Sequence, residues 1–160
     1  MRRVLSLLLA VVVLAGCGKA EEGAAPEPSS SPGTVKAMSH ADAEALAGRF
    51  RDEAVTAIGG PLTGDPTNKL VQCEGRTFAA LTYGDVPVPA DQQTAALEKL
   101  REHYKSARDY TVEPPSTDGS DRGALSVTGP DRVTISAVGD GAEAVRINVA
   151  TPCYTSDEPL

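Results

Sequence analysis

Two amphipathic segments at helical spacing, a set of short runs with period-two alternation, and turn residues between them predict an α+β fold. The expected architecture is a two-layer sandwich, two helices packed on one face of a mostly antiparallel sheet, in the order α-β-α-β-β-β-β. The helical spacing runs from His40 to Ile58 and again from about Asp91 to Ala107, and the alternation is strictest between Ala124 and Cys153. A helix with one apolar stripe and a sheet with one apolar face solve each other's burial problem, so the two patterns in one chain point to a single layered domain.

The first helix places Ala43, Leu46, Ala47, Phe50, Ala54, Ala57 and Ile58 on one side, with Arg49, Arg51, Asp52 and Glu53 largely on the other. Ser39 followed by Asp42 reads as an N-cap with a capping-box partner, and Gly59-Gly60-Pro61 as a stop. Pro61 to Asn68 is turn chemistry. Lys69–Cys73 and Thr77–Val88 form the first β region, joined by Glu74-Gly75-Arg76 as a turn or bulge, with a further bulge expected at Gly84-Asp85. Pro87 and Pro89 end it, because proline cannot donate to a sheet ladder. Asp91 is the expected N-cap of the second helix, whose stripe is Ala96, Leu97, Leu100, Tyr104 and Ala107. Glu98 with Arg101 and Glu102 with Lys105 are surface pairs worth only ~0.2–0.5 kcal/mol each. Four strands follow, at Asp109–Pro114, Ala124–Gly129, Arg132–Gly139 and Glu143–Cys153, with a polar loop at Pro115–Arg122. Leu125 and Val127, then Val133, Ile135 and Ala137, then Val145, Ile147 and Val149, alternate onto one face. Tyr154–Leu160 reads as a flexible tail.

The chain starts with Arg2 and Arg3 and an apolar run, Val4–Leu14, broken only by Ser6. That run fits the ~7–15 residues of a secretory h-region. It falls short of the about 20 residues that a membrane-spanning helix needs. It ends in Leu14-Ala15-Gly16-Cys17, which resembles the lipobox of bacterial lipoproteins. The resemblance implies that the Cys17 thiol takes a diacylglyceryl group and that a signal peptidase cuts between Gly16 and Cys17. Cys17 then leads the mature chain, its amine open to a further acyl group such as palmitate. One acyl chain binds a membrane only marginally, whereas two anchor stably. A plain signal peptide with an incidental cysteine, or a buried apolar strand, are the other readings of the run.

The expected organisation is therefore a signal peptide at 1–16, the lipidated cysteine and a disordered tether at 17–39, the domain at 40–153 and the tail at 154–160. The tether, rich in Gly, Ala, Glu, Pro and Ser, lacks the apolar surface to repay ordering. As a flexible coil of its length it spans roughly 25–28 Å, stiffened by Pro26, Pro28 and Pro32. The protein is expected at the cell membrane, lipid-anchored on the extracytoplasmic face.

The formal charge is −7, with no basic stripe. This argues against nucleic acid and against electrostatic adhesion to anionic lipids. Cys73 and Cys153 remain once Cys17 is lipidated, and an even pair in an exported protein is most simply a disulfide. A redox pair would more often be a close C-x-x-C, which the sequence lacks. By the chain-entropy model the bridge contributes roughly 4–4.5 kcal/mol. That is a large share of the ~5–15 kcal/mol of an ordinary domain, and this chain has no tryptophan to enlarge its core.

Little in the sequence points to catalysis. His40 and His103 lack zinc-site spacing. G-x-S-x-G, S-x-x-K and P-loop motifs are missing. The loop Ser116–Gly123 holds Asp118, Ser120 and Asp121 but lacks the further ligands of a calcium loop. Glu44, Glu53, Glu98 and Glu102 read as solvated helix-face carboxylates, and Gly139–Gly141 as a hairpin turn. No catalytic residue, metal or cofactor is expected. The wet sheet face, with Thr134, Ser136, Arg146 and Asn148, is the one candidate place for a polar or carboxylate ligand.

Taken whole, the chain resembles small exported lipoproteins of high-GC Gram-positive bacteria. The likeness lies in the lipobox, the Ala/Pro/Ser linker, the Cys-bearing strand, the second helix closing in LEKLREHYKSARDY and the late Thr-Pro-Cys. The expectation is a monomeric, non-catalytic binding or structural module of the cell envelope, meeting an envelope protein, a cell-wall polymer or a small ligand. The alternatives are a small-ligand receptor or accessory of a transport or sensing system, and an enzyme or enzyme accessory acting on cell-wall material.

Overall fold

Helix α1 (His40–Ile58) forms where the spacing places it, and its two ends show why. The computed structural model describes residues 35–113 and 123–159; the signal, Cys17, most of the tether and the loop around Asp118 to Asp121 lie outside them. At the start, Ser39 Oγ accepts from the Asp42 N–H at 3.0 Å and donates to Asp42 Oδ2 at 2.7 Å. The His40 N–H donates to Glu158 Oε2 at 2.8 Å, which sets a carboxylate at the positive end of the helix. At the finish, Gly59 adopts φ 95, a left-handed conformation that a side chain would strain, and its N–H closes on the Val55 carbonyl at 3.0 Å.

The β region between the helices is a hairpin, β1 (Thr67–Gln72) and β2 (Thr77–Pro87). Four strands follow the second helix: β3 (Thr111–Val112), β4 (Leu125–Thr128), β5 (Thr134–Gly139) and β6 (Ala144–Ala150). All pairings among named strands are antiparallel, in the order β1-β2-β6-β5-β4-β3. The predicted alternation holds: Leu125, Val127, Val133, Ile135, Ala137, Val145, Ile147 and Val149 are all buried. They meet Ala43, Ala47, Phe50 and Ala54 of α1 and Leu97, Leu100 and Tyr104 of α2 (Gln93–Ser106) in one core. The architecture is the expected α+β arrangement, with both helices on one side of the sheet.

Two expectations for the sheet change. β2 carries no bulge at Gly84-Asp85, because Gly84 pairs with Ile147 and Asp85 with Arg146 in unbroken register. Gly84 is a packing residue: a Cβ there would lie 2.8 Å from Leu62 Cδ2. The strand expected at Asp109–Pro114 shrinks to the two residues of β3.

The second helix also starts differently. Ala90–Gln92 is a 3-10 turn, so Asp91 does not cap the α-helix. Gln93, at its first position, is instead buried. Its Nε2 donates to the Val88 carbonyl at 3.1 Å and to Asp140 Oδ1 at 2.9 Å, and its Oε1 accepts from the Gly141 N–H at 2.9 Å. Asp140 Oδ1 also accepts from the N–H groups of Ala142 and Ala144 at 2.7 and 3.1 Å.

These donors, Ala142 first, then Ala144 and Gln93, pull the Asp140 carboxyl from 3.8 down to about 2. A depressed folded-state pKa means stability that is present above about pH 4 and lost as pH falls through about 2. Asp140→Asn should therefore melt below the wild type at pH 6, and the two melting temperatures should converge by pH 2. A gap that persists at pH 2 would show that the carboxylate is not the source.

The tail is not flexible where it is described. β7 (Tyr154–Thr155) pairs with β2, setting Tyr154 opposite Phe78 and Thr155 opposite Thr77. Tyr154 is only 1% exposed, and its hydroxyl lies 2.9 Å from His40 Nδ1. The end of the expected tether joins it: the Met38 N–H donates to the Thr155 carbonyl at 3.0 Å, and the Thr155 N–H to the Lys36 carbonyl at 3.1 Å. The boundaries 40 and 153 are thus too narrow. A single buried aromatic and its backbone partners hold a segment whose composition reads as polar.

Candidate functional site

The face of the sheet opposite the helices is open, and the register lays its side chains in rows. One row runs Tyr83, Asn148, Ser136, Ser126 from β2 through β6 and β5 to β4, and the next runs Leu81, Ala150, Thr134, Thr128. The methyl of Ala150 between the larger Leu81 and Thr134 leaves a depression of about 110 Å³, bordered by Tyr83, Ser136 and Asn148. Three of the four residues singled out on this face, Thr134, Ser136 and Asn148, are thus brought together.

Arg146 is on the same face but is engaged. Its Nε donates to Asp85 Oδ1 at 2.8 Å and its Nη2 to Asp85 Oδ2 at 3.1 Å, a two-pronged pair. The hydrogen bond to Asp85 raises the Arg146 pKa further. Arg146 is therefore not poised for a carboxylate ligand, and the pair leaves that part of the face neutral. Tyr83, which sequence reasoning passed over, completes the border. The period of β2 marks its face, because Leu81, Tyr83 and Asp85 alternate against Ala80, Thr82 and Val86. Lys69 sets its ammonium 5.5 Å from the centre of the Tyr83 ring.

The two histidines sit elsewhere. His40 is held between Tyr154 and the tail, its Nε2 3.2 Å from the Glu158 carbonyl. His103 Nε2 lies 3.1 Å from Glu53 Oε1, and Tyr110 donates to Glu53 Oε2 at 2.8 Å. Burial first, then the bond to Glu53, pushes the Tyr110 pKa up. This cluster ties α1 to α2 and to the approach of β3. Among the described residues no group of three or more His, Cys, Asp or Glu side chains is arranged to hold a metal.

Residues 1–17 match the family model of the prokaryotic membrane lipoprotein lipid attachment site. The chain carries a bacterial lipoprotein's attachment site. No curated protein and no solved structure matches it. Among the described residues, no helix of the lipoprotein is long and apolar enough to cross a membrane, and attachment is through the lipid at its start. The lipoprotein's other two cysteines are joined, Cys73 to Cys153, with their Cα atoms 6.3 Å apart. The bridge ties the end of β1 to the residue before β7. Cys73 sits beside Thr77 of β2, its N–H donating to the Thr77 carbonyl, and Ala79 of the same strand, paired with Val71, is only 9% exposed although it belongs to the open face.

Proposed function

We propose that this lipoprotein is a non-catalytic binding module on the extracytoplasmic face of the cell membrane, and that the open sheet face grips a neutral, hydroxyl-rich cell-wall polymer. The observation that carries this reading is the row Tyr83, Asn148, Ser136 beside the depression over Ala150. It offers hydroxyl and amide groups that both donate and accept, next to an aromatic ring. With Arg146 satisfied by Asp85, the row suits an uncharged polymer better than an anion. Ser136 faces an amide, Asn148, rather than a base, which favours contact over catalysis. The space between helices and sheet is occupied by side chains such as Ala43, Phe50, Leu100 and Tyr104, which favours a surface contact over an enclosed small-ligand site.

The test is retention of the lipoprotein on isolated cell-wall material. Tyr83→Ala and Asn148→Ala should each weaken retention roughly tenfold, as removal of a contact residue at the centre of a site does. A wild-type protein that is not retained, or retention indifferent to both substitutions, would overturn the reading in favour of an envelope-protein partner.

A further inference from the structure

We infer that β1 is the seam of a two-fold homodimer in which the sheets of two copies join edge to edge. β1 is the outermost strand of the sheet, and of its six residues only Leu70 is even half-buried. The direction of its backbone groups follows from one bond: the Cys73 N–H donates to the Thr77 carbonyl at 2.9 Å. Alternation then aims Val71, Lys69 and Thr67 at β2, and leaves the N–H and C=O of Asn68, Leu70 and Gln72 aimed outward.

Exposed edges of this kind are usually guarded by shortness, proline, a bulge or a lysine. The opposite edge, β3, is guarded by having two residues. β1 has six, in unbroken register with β2 and without proline. Its one lysine, Lys69, is laid back over Tyr83 on the neighbouring strand, away from the edge. The usual guards are missing from the longer edge.

The sequence of β1 also fits itself. In an antiparallel two-fold pair, residues directly opposite must share a face, so the axis can pass only through a residue pair. An axis at Lys69 sets two ammonium groups opposite each other and sets Pro66, which has no N–H, against Gln72. An axis at Val71 runs Asn68 against Glu74, beyond the end of the strand. An axis at Leu70 uses the whole outward set: Leu70 meets Leu70, Asn68 meets Gln72, and Lys69 meets Val71. Asn68, Leu70 and Gln72 then form three hydrogen-bonded pairs with the second copy, each exchanging two backbone bonds. The two half-buried Leu70 side chains cover each other on the helix side. The partner is a second copy of this chain, against the sequence expectation of a monomer, and the pairing is independent of what the open face binds.

The experiment uses the full lipoprotein in detergent at physiological ionic strength, with sedimentation and amide hydrogen exchange read together, on the wild type and on Asn68→Pro. The proline removes an outward N–H without touching the β1–β2 ladder, and the variant keeps the same lipid, so association through the micelle survives in it. The wild type should sediment as a dimer, with the Leu70 and Gln72 amides exchanging roughly tenfold or more slowly than in the variant. Asn68→Pro should be monomeric, with its inward Lys69 and Val71 amides still protected, which shows the hairpin intact. A monomeric wild type, or a dimer whose Leu70 amide exchanges as fast as in the variant, overturns the inference.

Discussion

Cys73→Ser is expected to lower the melting temperature by roughly 16–18 °C. The bridge closes a sequence separation of 80 residues. In the chain-entropy model a loop of that length is worth roughly 4–4.5 kcal/mol, and each kcal/mol moves a domain of about this size by roughly 4 °C. The loss should begin locally. Without the bridge, β7 is held by two residue pairs with β2, the burial of Tyr154 and the backbone bonds to Lys36 and Met38. Those contacts should exchange their amides first, followed by the start of α1, where His40 leans on Tyr154 and Glu158. Cys153→Ser and reduction of the wild type should produce the same shift, and the double substitution no more than either single one. A melting curve unmoved by any of these would show that the bridge does not constrain the unfolded chain.

Cys17→Ser should move the protein from the membrane fraction to the soluble one. Residues 1–17 carry the lipid attachment site, and no helix among the described residues can replace it as a span. Serine offers no thiol, so a lipid held through a thioether at this position would have no point of attachment. Each buried methylene contributes about 0.8 kcal/mol to anchoring, which makes the effect close to all-or-none. With a net charge of −7 the chain has no electrostatic hold on anionic lipid to fall back on. Fractionation followed by immunoblotting reads it directly. A variant that still sediments with membranes would place the attachment elsewhere in the chain.

What the sequence revealed and what it hid divide along sequence distance. Leu125 and Val127, Ile135 and Ala137, and Val145, Ile147 and Val149 all turned inward because a strand's faces alternate whatever surrounds it. The stripe of α1 and its Ser39 and Gly59 ends were legible for the same local reason. Gln93 was not. It is a polar residue at a helix start, and its burial depends on Asp140 and Gly141, 47 and 48 positions away. Tyr154 was lost in a polar tail because its partners, Phe78 and His40, come from the middle and the start of the domain. Arg146 read as free because nothing local announces Asp85, 61 positions earlier. The wet face itself could be named from period two alone, but its rows could not. Those depend on strand order, and β6 sits between β2 and β5 in a way that no single segment encodes.

The pairing of Lys36, Ala37 and Met38 with Thr155 sets a load path. Force drawn along the tether reaches Lys36 before it reaches α1. There it meets backbone bonds to β7, and β7 lies directly against β2, with Cys153, one residue earlier, riveted to Cys73. Tension is therefore passed sideways into β2 instead of peeling the first helix from its end. The domain is thus hung from a reinforced bracket, its mooring fastened to the sheet before it reaches the first helix.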